Sequence, residues 1–241
     1  MMQNPLSQQT VRVSVIMNCY NSDAYLKTAI QSVYDQTFKD WEIVFWDNCS
    51  TDNSPRIAKG FDDKLKYFRG PRTVPLGEAR NLAIEQARGD LIAFLDCDDI
   101  WLPDKLSRQV RQFEEHPQLG LVYCNAIYFK SEGKGFQLYK NHRPPEGMIF
   151  KELMTNNYIP LPTVMIPKAV LMKLGEWFDA RFNMIEDADL FFRIAHDYEV
   201  GYIHEPLARY RVHDQSWTFQ KRSLFPKEMR QLVTKFKEIY P

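Results

Sequence analysis

The sequence predicts an α/β protein built on a doubly wound, mostly parallel sheet with an α+β second half. Three observations carry that prediction. Apolar runs of strand length at 11–18, 41–47 and 90–96 alternate with segments whose apolar residues recur at helical spacing. The run DLIAFLD is continuously apolar between its end carboxylates, as expected of a strand buried on both faces. Finally, 241 residues without internal repeat, low-complexity tract or long linker suit one large unit whose halves share a core.

Each element has its own reason. VRVSVIMN is a β-branched strand, CYNSD a polar loop, and DAYLKTAIQSVYDQT a helix whose Leu26, Ile30, Val33 and Tyr34 share a face. WEIVFWD (41–47) is the second strand, DNCSTDNS a turn, and Ser54-Pro55 a helix start with Pro at the first helical position. LKYFRG (65–70) is a shorter strand, and GEARNLAIEQARG (77–89) is an Ala-rich helix stopped by Gly89. Pro103 opens a helix with Leu106, Val110 and Phe113 on one face, His116-Pro117 closes it, and LGLVYCNAIYFK (119–130) returns to strand. From SEGKG (131–135) the rhythm changes to a hairpin turn, a Pro- and Asn-rich loop, a strand at PTVMIP and helices at KAVLMKLG and DADLFFRIAHD. The expected organisation is a frayed polar 1–10, a first half over 11–130, a second half over 131–218 that walls the other side of a cleft, and an amphipathic helix over 219–241.

Composition narrows the function classes. Lys plus Arg and Asp plus Glu both number 31, so no global field favours nucleic acid. Neither a signal segment nor 18 consecutive apolar residues occurs, and the expectation is a cytoplasmic protein. Cys19, Cys49, Cys97 and Cys124 form no CxxC pair and read as free thiols.

The chemistry concentrates in FLDCDDIW, where Asp96, Asp98 and Asp99 fall within four positions at a strand end. In an open α/β sheet the ligand crevice lies beyond the carboxyl ends of the strands, where Asn18, Asp47 and Asp96 also fall. Two carboxylates about 4 Å apart repel by roughly 4 kcal/mol at an effective dielectric of about 20, so the cluster needs protonation, spreading or a cation. A divalent ion with hard oxygen ligands, Mg²⁺ or Mn²⁺, together with a diphosphate answers that need. The alternative is that one Asp caps the following helix and the others are solvated. An EF-hand is excluded, since its sixth and twelfth positions would be Trp101 and Ser107. No HExxH, Walker A loop or GxGxxG is present.

In order along the chain, VSVIMNCYN, WEIVFWDNCSTDNS, GEARNLAIEQARGD, FLDCDDIWLPDKL and IEDADLFFRIA resemble the inverting family 2 glycosyltransferases of the GT-A fold. The resemblance covers about residues 12–215. It implies a nucleotide-sugar donor, Mn²⁺ or Mg²⁺, and a glycan or lipid-linked acceptor. Asn18, Cys19, Tyr20 and Asn21 would cradle the base, with Tyr20 as a stacking ring. Asp47 and Asn48 stand where such enzymes carry an acidic pair for uracil; UDP is the first expectation, with GDP or dTDP open. Arg80 would meet the diphosphate or hold the aspartates. Asp96 would contact the ribose, Asp98 would bind the metal and Asp99 would buttress the turn, with Cys97 between them in the same nucleotide-sugar-binding set. Asp187 takes the role of general base, Glu186 is its runner-up, and Asp189 reads as the partner of Arg193 at i,i+4. His213 of YRVHDQS would approach the metal or the leaving diphosphate.

Two competing functions share these residues: a sugar-nucleotide nucleotidyltransferase, which would release pyrophosphate, and a non-catalytic glycan- or nucleotide-sugar-binding module. In the tail, Met229, Leu232, Val233, Phe236 and Tyr240 recur at helical spacing among Lys and Arg. That stripe suits packing on its own domain, on a second copy in a homodimer, or on a membrane as a peripheral contact.

Overall fold

A computed structural model of the chain describes residues 11–130, 135–214 and 216–240. In chain order the first elements are β1 (Val13–Cys19), α1 (Asp23–Tyr34), β2 (Trp41–Asp47), α2 (Ser54–Ala58) and β3 (Leu65–Arg69). Next come α3 (Leu76–Glu85), β4 (Leu91–Phe94), β5 (Ile100–Trp101), α4 (Lys105–Glu115) and β6 (Leu119–Phe129). They are followed by β7 (Phe136–Gln137), α5 (Phe150–Thr155), β8 (Met165–Pro167) and α6 (Lys168–Leu174). The chain ends with α7 (Glu186–Asp197), β9 (Glu199–Arg211), α8 (Trp217–Lys221) and α9 (Phe225–Ile239).

The sheet runs β3-β2-β1-β4-β8-β6-β9-β5, with β7 paired to β6. β1, β2, β3 and β4 are mutually parallel, β8 is antiparallel to both β4 and β6, and β9 lies parallel to β6. The two expected halves therefore share one sheet, because β8 joins β4 to β6. Alternation along the strands serves two cores. Ile16, Val44, Ile92 and Phe94 face one cluster with α3 and α7, while Val15, Met17, Phe45 and Ala93 face a second with α1 and α4.

Most elements fall where the sequence places them. The expected SEGKG turn and the frayed 1–10 lie outside the described residues, apart from Gly135. Two differences stand out. β9, the longest strand, was not expected: EVGYIHEPLARYR mixes charged residues with a Pro, which argues against a central strand. The structure resolves the conflict with a break in register, where pairing steps from Cys124–Ile203 to Asn125–Pro206. The tail helix also differs. α9 begins at Phe225, after α8 and a 3-10 turn at Arg222–Leu224, and packs Leu232 and Phe236 into the first cluster. Val233, in the same stripe, stays 38% exposed, so the packed face is narrower than the apolar pattern.

The close approach of the turn after α3 to β1 depends on Gly89. A Cβ there would lie 2.5 Å from the backbone nitrogen of Ser14 and 2.8 Å from the carbonyl carbon of Val13. Its own N–H donates to Ser14 Oγ at 2.8 Å, and Ser14 donates to the buried Glu42 at 2.8 Å. Gly89→Ala is expected to cost about 1–3 kcal/mol through forced backbone movement. Urea unfolding checks this as a lower midpoint at unchanged slope.

Candidate active site

The carboxyl ends of β1, β2 and β4 open into a cavity of about 1170 Å³. Its mouth is held by two loops stitched together. Asn48 N–H donates to Cys19 O at 2.8 Å, Asn21 N–H to Ser50 Oγ at 3.1 Å, and Thr51 N–H to Asn21 Oδ1 at 2.8 Å. Asn21 and Cys49 take positive φ of 48° and 66°, conformations uncommon outside glycine, and these cross-loop bonds hold them there.

The three aspartates after β4 are spread onto three different partners. Asp96 accepts from Arg80 Nη2 at 3.3 Å, Asp98 Oδ2 faces His213 Nε2 at 2.8 Å, and Asp99 accepts the Arg211 N–H at 2.7 Å. Burial, helped by the charge of Asp98, pushes the carboxyls of Asp96 and Asp99 up from the ordinary range, while Arg80 opposes the shift at Asp96. Asp99 Oδ2 is buried without a hydrogen-bond partner among the described residues. Arg211 was missed at the sequence level. Its Nε donates to Asp98 O at 2.8 Å and its guanidinium lies 4.0 Å over Tyr25, so it ties the turn to β9.

Arg80 is buried and bonds Glu186 as well as Asp96, joining the two acidic segments across one guanidinium. Glu186 is thereby engaged, whereas the hydrogen bond recorded for the Asp187 carboxylate comes from the adjacent Ala188 N–H at 2.7 Å. Burial first, then the charge of Glu186, pushes Asp187 up to about 7. Asp189 is fully buried and held by Arg193 at 2.8 Å and Lys235 at 2.9 Å, the structural role its spacing suggests.

On the nucleotide side, Tyr20 stands 52% exposed at the cavity, and the Asn18 amide nitrogen is buried without a hydrogen-bond partner among the described residues. Cys97 donates to Asn18 O at 3.2 Å and is buried beside it. Asp47 lies away from the cavity, whereas Asn48 lines it. Asp47 is fully buried outside the cavity lining, accepting from Ser50 N–H at 2.7 Å, Tyr67 Oη at 2.5 Å and Arg69 Nη1 at 2.5 Å. The Asn48 amide spans Val74, donating to its O at 2.8 Å and accepting from its N–H at 3.0 Å.

Asp98 and His213 offer a hard carboxylate oxygen and an imidazole nitrogen at one point, partly open to the cavity, a donor set that suits Mn²⁺ or Mg²⁺. A further acidic group, Glu176, Asp179 and Asp189, surrounds Lys235 Nζ at 2.8–3.0 Å, and Arg181 on Asp179 and Arg193 on Asp189 supply the remaining balancing charges.

A parallel sheet with strand-end acidic residues facing an α+β wall is the architecture of the GT-A class of sugar transferases. The chain matches the model of glycosyl transferase family 2 over residues 14–175 and belongs to that family. An uncharacterised glycosyltransferase of Methanocaldococcus jannaschii is 32% identical over 210 residues, 83% of this chain and 70% of the relative. The putative glycosyltransferase EpsE of Bacillus subtilis is 30% identical over 219 residues, 88% of this chain and 76% of the relative. Among solved structures, Staphylococcus aureus TarS 1–349 in complex with UDP-GlcNAc superposes with a TM-score of 0.78 at 20% identity, covering 92% of this chain and 64% of that one. The mannosyltransferase PcManGT of Pyrobaculum calidifontis, in complex with GDP-Man and Mn²⁺, gives 0.68 at 20% identity, covering 91% and 64%. Relatives from Rickettsia typhi and Rickettsia conorii are longer, and the chain spans 65% and 36% of their lengths. No helix among the described residues is long and apolar enough to cross a membrane.

Because Arg80 serves two carboxylates at once, Arg80→Met should lose about 3–5 kcal/mol by leaving them without their buried cation. Chemical denaturation at neutral pH checks this; a loss under about 1 kcal/mol would show that neither carboxylate depends on it.

Proposed function

We propose that the chain is an inverting, metal-dependent glycosyltransferase that moves a sugar from a nucleotide diphosphate donor, first of all a UDP-sugar, to a hydroxyl acceptor in surface polysaccharide or glycoconjugate synthesis. The observation that carries this reading is the pairing of Asp98 with His213 across 115 positions of sequence, in the same cavity that Asp187 lines. The S. aureus complexes with UDP and UDP-GlcNAc support a UDP donor, the GDP-Man complex keeps GDP open, and the putative teichuronic acid glycosyltransferase TuaG of B. subtilis supports a polysaccharide setting.

In this reading Tyr20 stacks on the base, and the unpartnered Asn18 amide nitrogen donates to the nucleotide. Asp47 and Asn48 act by holding the two turns that frame the base. Arg80 positions Asp96 and Glu186 instead of gripping the diphosphate itself. Asp98 and His213 would hold the cation, whose positive charge would offset the charge developing on the departing diphosphate. Asp187 removes the proton from the acceptor hydroxyl as it attacks the anomeric carbon from the opposite side, giving inversion.

The base must be ionised, so turnover should rise as pH increases through about 7, the value to which burial and Glu186 push Asp187. Asp187→Asn should abolish turnover and leave nucleotide affinity within about twofold. Retained turnover would remove Asp187 from the role of base. Asp98→Ala and His213→Ala should instead weaken Mn²⁺-dependent nucleotide binding by about tenfold or more in calorimetry. Incubation with a panel of nucleotide sugars and Mn²⁺ tests the whole reading. Release of nucleoside diphosphate is the expected product, pyrophosphate would indicate nucleotidyl transfer, and binding with no turnover would indicate a non-catalytic module.

A further inference from the structure

We infer that Glu228, on the C-terminal helix α9, is a positioning residue for Asp187, fixing from outside the cavity the backbone that leads into α7; the inference rests on Asp187 being the base. Glu228 is 4% exposed. Both its oxygens accept the Asn183 N–H at 3.1 Å, and Oε2 also accepts the Met184 N–H at 2.9 Å. The Asn183 carbonyl in turn accepts the Trp217 indole N–H at 2.6 Å. Both polar groups of one peptide residue are thus held from the C-terminal segment, and Asn183 and Met184 line the cavity just ahead of Asp187.

The arrangement has a specific physical sense. A carboxylate taken out of water is costly unless hydrogen bonds replace its hydration, and the bonds recorded for Glu228 are to this one segment. Helix α7 starts at Glu186 with no side-chain hydrogen bond from its N-cap Ile185, and Arg80 holds only its first residue. The grip of α9 on the two amides ahead of it adds a hold on the incoming chain from a distance. A second attachment works on the same helix: Lys235 reaches Asp189 at 2.9 Å and Asp179 at 2.8 Å, while Leu232 and Phe236 are buried. Helix α9 is thereby bound both at the entry to α7 and along its side. The match to the family ends at residue 175, so this clamp lies outside the matched region.

The experiment compares the full chain with Glu228→Ala and Glu228→Gln. Amide hydrogen exchange at Asn183 and Met184 should speed up about tenfold or more in Glu228→Ala, with β1 amides unchanged and Glu228→Gln in between. The ¹³C-carboxyl titration of Asp187, set by burial and then by Glu186, Arg80 and Asp96, should move in the same variant. UDP–Mn²⁺ affinity should stay within about twofold while the turnover number falls about tenfold. Unchanged exchange at the two amides, or loosened amides with an unmoved Asp187 titration, overturns the proposal. If Glu228→Ala does not fold, the unmodified chain still decides: free-loop exchange at Asn183 and Met184 refutes the clamp. Failure of the base assignment is distinguishable, since Asp187→Asn would then keep its turnover while the Glu228 variants still loosen the segment.

Discussion

Mutual repulsion among carboxylates at one edge of a parallel sheet is the constraint on which this site depends. Asp96, Asp98, Asp99, Glu186 and Asp187 line one cavity, and the buried guanidinium groups beside them are those of Arg80 and Arg211. The fold answers by spreading the acids over several partners. Arg80 bridges Asp96 and Glu186, β9 contributes Arg211 and, just beyond it, His213, and Asp187 is left with its charge disfavoured by burial. This division makes the site polar in direction as well as in composition. One side holds acids tied down by cations or imidazole, and the other holds a carboxyl poised near neutrality. A nucleoside diphosphate would bring further negative charge to this wall, which is the physical reason a divalent cation belongs in the proposed mechanism.

Precision at the mouth comes from hydrogen bonds between loops, in which side chains of one turn accept from backbone N–H groups of the other. The turns after β1 and β2 share hydrogen bonds through Asn21, Ser50 and Thr51, and Asp47 locks the second turn through Tyr67 and Arg69. A loop held this way presents Tyr20 and Asn18 with little freedom left to lose on binding.

The parallel half of the fold was legible because its strands are buried on both faces and read as apolar runs, and its helices carry clear faces such as Leu106, Val110 and Phe113. β9 was not legible. Its Pro206 and charged residues are tolerated through a register break that no local pattern announces. The site divides in the same way. Asp96, Asp98 and Asp99 are conspicuous by their spacing, and His213 and Asp187 entered through resemblance. Asp47 was assigned to the base, yet its side chain is used on Arg69 and Tyr67, while Asn48 lines the cavity and bonds Val74. Residue type identifies a hydrogen-bonding group, but the partner that claims it is decided by tertiary structure. Glu228 shows the limit most clearly, since an acid in a basic amphipathic helix reads as solvated until its burial is seen.

The same distinction governs the tail. Helical periodicity establishes that α9 has an apolar stripe, but a stripe fits a core, a partner and a bilayer equally well. The polar neighbours of the stripe decide which surface it meets. Lys235 would be hydrated on a free or membrane-bound helix; here it is buried and touches Glu176, Asp179 and Asp189. Despite burial, Arg181 and Lys235 hold Asp179 below the usual carboxylate range. Lifting the helix away would part Lys235 from its three carboxylates and leave the buried Asp179 and Asp189 with Arg181 and Arg193 alone, a larger penalty than breaking an isolated surface ion pair. The inner face of α9 is therefore part of this fold, and what remains for any other partner is the outer face that carries Val233 and Ile239.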